Sequence, residues 1–148
     1  MKKRIISLLL SAIMLFSLLP VTAMAGGGIA YIERSWNGSE VTASEKTCTS
    51  FSFVSNSSTT WNAGWYVVNA NTTISSAITV SGDVHLILCD NMTLTAQKGI
   101  VVNGKGNNSL TIYGQSGDSG KLITTGSSSA PYGAGIGGGG GYTTDDVK

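Results

Sequence analysis

Between Ile74 and Thr95 apolar and polar residues trade places at almost every step. Ile78, Val80, Val84, Leu86, Leu88, Met92 and Leu94 all fall on even positions. Thr79, Ser81, Asp83, His85, Cys89, Asn91, Thr93 and Thr95 fall on odd ones, and Ile87 is the large apolar side chain out of phase. A side-chain period of two belongs to a strand with one face in a core and the other toward solvent. The turn-like stretches "SGD" (81–83) and "CDN" (89–91) interrupt the run, which predicts three strands of about four or five residues rather than one long one.

The pattern then repeats. "GIVVNG" (99–104) answers "AITVSG" (77–82), "SLTIYG" (109–114) answers "VHLILC" (84–89), and "KLITTG" (121–126) answers "MTLTA" (92–96). Longer polar loops, "KGNN" and "QSGDS", stand at the corners. A unit of three short strands cannot bury its apolar face alone, whereas a second unit stacked on it can. The expected architecture is therefore all-β: a right-handed parallel β-helix of which this chain holds the first two to three coils. Its predicted interior is Ile78, Val80, Leu86, Ile100, Val102 and Ile112. An antiparallel β-sandwich is the alternative, because it too is built from short alternating strands and turns.

The flanks divide the chain. Residues 1–25 have a basic start (Lys2, Lys3, Arg4), an apolar run from Ile5 to Leu19, and small residues at Ala23 and Ala25. That is the pattern of a secretory signal peptide, and the run is shorter than the roughly 20 residues of a membrane-spanning helix. No membrane span is expected once it is cleaved. Residues 26–60 read as an irregular N-terminal lead-in or cap, and "WNAGWYVV" (61–68) as the first firm strand, so the repeats are assigned to 61–148. Without the three leader cations, six basic residues face eight acidic ones. With no basic stripe, nucleic acid is not an expected partner. The two cysteines, Cys48 and Cys89, admit one disulfide in an exported chain and admit two free thiols equally.

Candidate chemistry is sparse. Gly135-x-Gly137-x-x-Gly140 matches a dinucleotide fingerprint in form, but the polar "YTTDDVK" that follows offers no helix to receive a pyrophosphate. Polysaccharide-cleaving β-helices need carboxylates set together, or a carboxylate with Arg or Lys. Here Asp83, Asp90 and Asp118 all fall in turn-like stretches, and His85 is the chain's single histidine. We expect no catalytic site in this segment, no metal and no cofactor. Sugar rings stack on exposed aromatics, which leaves Tyr113, Trp61, Trp65 and Tyr66 as candidate ligand-binding residues. Tyr113, at an outward odd position, is the expected exposed ring, whereas Trp61 and Trp65 can instead cap the open first coil.

The run from "WNAGWYVV" through "HLILCDNMTLTAQKGIVVNG" and "SLTIYGQ" to "AGIGGGGG" resembles the first repeats of large secreted surface proteins of Gram-positive gut bacteria. The resemblance covers about Trp61 to Gly141. It implies a β-helical exoprotein of the adhesin or carbohydrate-binding kind, with the glycines at a tight turn where coil backbones approach. It also implies a longer parent, of which this chain is an N-terminal fragment. The expected function is that of an extracellular, cell-surface scaffold contacting host or cell-wall glycan without catalysis. The alternatives are the N-terminal part of a β-helical lyase or glycosidase whose active site lies beyond residue 148, and a purely structural stalk.

Overall fold

A computed structural model describes residues 27–102, 106–126 and 133–138; the leader lies outside them. Every regular element among these residues is a strand. An antiparallel hairpin comes first, β1 (Ile29–Trp36) and β2 (Val41–Cys48), paired from Ile29↔Cys48 to Trp36↔Val41. Then follow β3 (Ser52–Phe53), β4 (Thr60–Val68), β5 (Thr72–Ile74), β6 (Ile78–Leu88), β7 (Thr93–Ala96), β8 (Ile100–Val102), β9 (Ser109–Tyr113), β10 (Lys121–Thr124) and β11 (Ile136–Gly137).

Beyond the hairpin, every pairing is parallel. The chain alternates between a sheet of order β11-β8-β6-β4-β3, with β9 also on β6, and a sheet of order β10-β7-β5. The register stacks like on like: Ile78 opposite Ile100, Leu86 opposite Ile112, Leu94 opposite Leu122. The phrases at 77–82 and 99–104 pair in the register in which they were aligned, Ile78 with Ile100 and Val80 with Val102. The other two matches are each displaced by one residue, because Val84 pairs with Leu110 and Leu94 with Leu122. A slip of one would turn the apolar set outward, so burial decides the register over phrase similarity.

The strands face a dry interior. Ile74, Ile78, Val84, Leu86, Leu94 and Ile100 are all fully buried, with Trp61 and Val68 in the same cluster. The predicted core holds at Ile78, Val80, Leu86 and Ile100. It weakens along the last-stacked strands, where Val102 is only partly buried and Ile112 is 39% exposed. Neither Val102 nor Ile112 has a complete layer beyond it among the described residues. The corners carry their own bonds between layers. The Thr93 amide donates to Asn71 Oδ1 (2.8 Å) and the Gly82 amide to Asn108 Oδ1 (2.6 Å). Asp90 accepts from the Gly117 amide (3.0 Å) and from the Ser119 hydroxyl (3.1 Å). Each satisfies a backbone or side-chain group that the strand ladders leave unpaired.

Three expectations are corrected. "SGD" does not end a strand: β6 runs unbroken through it for 11 residues. Gly82, at φ +97°, takes a conformation that costs a residue with Cβ, and this lets the strand bend without breaking. In the next layer the same place does divide, and both β8 and β9 lie on β6. The lead-in is not irregular, since residues 29–48 form a regular hairpin. The glycine run is not simply a turn: Ile136 and Gly137 extend a sheet by pairing with Ile100 and Val101. The close approach comes just before, where a Cβ on Gly135 would meet Thr124 Oγ1 at 2.6 Å. Residues 139–141 lie outside the described set.

Candidate functional site

The four aromatic residues singled out by sequence divide between two faces of one sheet. The cause is a register shift between β4 and β6 at Asn62 and Gly64. Three steps along β4, from Trp61 to Gly64, match four along β6, from Val80 to Val84. The odd-numbered Trp61 therefore joins the inward set, while the equally odd Trp65, beyond the shift, faces out. Trp61 is fully buried and stacks on Tyr66 with centroids 5.5 Å apart. Its Nε1 is buried without an acceptor, which typically costs about 1–3 kcal/mol. Trp61 is thus an interior residue of the first layer.

The outward face carries a second apolar cluster that the sequence did not announce. Val67 lies beside Ile87, and Ile87 beside Tyr113. Trp65 lies beside His85, which lies beside Thr111. The hairpin covers this face: Tyr31, Cys48, Val67 and Ile87 are buried together, with Trp65, Cys89 and Tyr113 packed against them. Ile87, the out-of-phase residue, is fully buried here. Three attachments fix the hairpin. The Ile32 amide donates to the Gly114 carbonyl (2.9 Å), Gln115 Nε2 donates to the Ala30 carbonyl (2.8 Å), and Arg34 pairs with Asp118 at 3.3 Å on the surface.

Tyr113 is therefore not a free surface ring. It meets Tyr31 edge-on at 4.8 Å and stacks near Trp65 at 5.3 Å. His85, expected among solvated threonines, is layered against Trp65 at 4.4 Å with planes 16° apart. Its Nε2 lies 3.2 Å from Asp83 Oδ2 and its Nδ1 lies 3.1 Å from the Tyr113 hydroxyl. With a proton on Nε2 facing the carboxylate, Nδ1 is placed to accept from the phenol. Asp83 also accepts from the Ser109 hydroxyl, and that bond, helped by His85, lowers its pKa.

Carboxylate, imidazole and hydroxyl in series have the order of a nucleophile relay. The terminal group is wrong for one. Burial, with smaller effects from Tyr31, Glu33 and Asp83, pushes the Tyr113 phenol up rather than down, so the series positions rings more readily than it activates an oxygen. Asp90 is committed to its corner bonds and Asp118 to Arg34. Among the described residues no three His, Cys, Asp or Glu side chains gather as a metal would need. Cys48 and Cys89 touch the same cluster but are free thiols, so the admitted bridge is not formed.

Of the four aromatics singled out by sequence, Trp65 and Tyr66 border open space. Two adjoining grooves share Trp65. One of about 330 Å³ also has Ser50, Phe51, Ser52 and Tyr66 in its wall, and one of about 230 Å³ has Tyr31, Thr47, Thr49 and Ser50. β3 pairs with β4 on the side away from β6, so the grooves lie beyond the indole from His85. Trp65 and Tyr66, both proposed from sequence, meet in the larger groove; Trp61 and Tyr113 line neither. Their serines and threonines come from the stretch running from the end of β2 through β3, Thr47 to Ser52, which carries no spacing motif that would have pointed to it. No family model, curated protein or solved structure matches this chain.

Proposed function

We propose that this chain is part of an exported, right-handed parallel β-helix that serves at the cell surface as a non-catalytic scaffold contacting host or cell-wall glycan. Support for the architecture comes from the strand order, which alternates between two parallel sheets with like residues in register. The hand follows from the strong preference of parallel crossovers for the right-handed connection. Support for export comes from the leader pattern of residues 1–25 and the resemblance to secreted surface repeats. No helix among the described residues is long and apolar enough to cross a membrane.

The observation that carries the glycan reading is the half-buried Trp65, backed by His85 and bordering two grooves rich in hydroxyl groups. A rigid ring offers a stacking face at low entropic cost, and fixed hydroxyls orient a polyhydroxylated ligand. Of the four rings the sequence offered, the contact is assigned to Trp65 and Tyr66 rather than to Tyr113 or Trp61. The test is a glycan array probed with the wild-type chain and with Trp65→Ala. Retention of one glycan set by the former and its loss by the latter is the expected result. Identical profiles would refute the assignment.

A further inference from the structure

Resting on that glycan reading, we infer that the Trp65 grooves select uncharged saccharides, with two neighbouring sugar units placed side by side along the indole, and reject uronic or sialic acids. Charge and shape set this preference. The walls of both grooves contain Ser, Thr, Phe, Tyr, Trp, Ala, Gly and Cys, and no Lys, Arg, His, Asp or Glu. A carboxylate resting in either groove would lose part of its hydration without meeting a cation, and a charge left unpaired on leaving water weakens binding.

The surroundings point the same way. The cations of the hairpin are already engaged, Arg34 with Asp118 at 3.3 Å and Lys46 with Glu33 at 3.9 Å. The ionised groups nearest the ring cluster sit in pairs, Asp83 with His85 on the far side of Trp65 and Glu33 with Lys46 on the hairpin, and none of them lines a groove. A neutral pyranose avoids the cost of an unpaired charge, since its apolar face can lie on the indole and its hydroxyls can exchange water for Ser50, Ser52, Thr47 and Thr49.

Two units follow from the division of the space. The grooves adjoin through Ser50 and Trp65, and each is of monosaccharide scale. Tyr66 borders one and Tyr31 the other, so each unit has an aromatic neighbour besides the shared indole.

The experiment titrates the full chain with cellobiose, lactose and digalacturonic acid, following the Trp65 indole N–H by NMR. At least one neutral disaccharide should shift that signal and bind at least about tenfold more tightly than its monosaccharide and than digalacturonate. Trp65→Phe should keep part of the binding and Trp65→Ala should abolish it. Ser50→Lys, which leaves every aromatic in place, should raise affinity for digalacturonate and so shows that missing positive charge sets the preference. If digalacturonate binds as well as the neutral sugars and depends on Trp65, the glycan reading stands and the charge selection falls. Equal affinity for monosaccharide and disaccharide removes the two-unit arrangement. If none of the three moves the Trp65 signal, both the inference and the reading beneath it are overturned.

Discussion

Replacing Tyr31 with alanine should release the N-terminal hairpin while leaving the parallel sheets folded. Tyr31 is 9% exposed and touches both Trp65 (4.9 Å) and Tyr113 (4.8 Å). Truncating a large buried aromatic typically costs about 3–5 kcal/mol, a figure that already includes about 0.5–1.5 kcal/mol for each ring pair. The other side-chain attachments are weaker. The Arg34–Asp118 pair has side chains 51% and 64% exposed, and solvent-exposed pairs contribute about 0–1 kcal/mol. Tyr31→Ala should therefore cost several times what Arg34→Ala does, and the loss should be local, because the main core lies on the opposite face of the sheet. Amide hydrogen exchange reads this directly. The Ile32 amide, bonded to the Gly114 carbonyl, should lose protection in Tyr31→Ala, while the Leu86 and Leu94 amides keep theirs. Tyr31→Phe, which retains the ring, should recover most of the effect. Equal losses from Tyr31→Ala and Arg34→Ala, or an Ile32 amide indifferent to both, would refute the reasoning.

Two further outcomes can be measured on the same material. Ile100→Ala, at a fully buried position paired with Ile78, should cost about 2–5 kcal/mol in urea unfolding, whereas Ile123→Ala, at 50% exposure, should cost under about 1 kcal/mol. The Asp83 carboxyl is held below its usual value first by Ser109 and then by His85. Its stabilising effect is thus present above the ordinary carboxylate range and is lost as pH falls through the lowered value. An NMR titration should show Ser109→Ala moving the Asp83 midpoint upward, and an unmoved midpoint would count against the Ser109 bond.

The inward set from Ile78 to Leu94 was legible because alternation depends only on the pleat, which every strand shares. Which face Trp61 would join was not. That choice rests on a single register shift beside Gly64, and a period-two pattern has no means of marking an unmatched residue. The outer cluster did leave a trace, Ile87 out of phase, but its meaning needed a cover, and β2 (VTASEKTC) has too few apolar residues to signal that it belongs to one. The contact of His85 with Tyr113, 28 positions apart in the chain, and the sharing of a groove by Trp65 and Ser50 arise only from stacking and from the path between β2 and β4. Local sequence chemistry encodes strands and turns; it does not encode which surface a hairpin will settle on.

The bend at Gly82 has a consequence for how such a chain can change. A single continuous strand supports two separate ones, β8 and β9, across that bend, so the sheet tolerates extra chain at this corner without losing its alignment on either side. Length there is free to vary from one layer to the next. Extra chain between Val102 and Ser109 leaves the pairings of β8 and β9 with β6 in step, which makes this segment a natural place for new surface to be acquired or grafted.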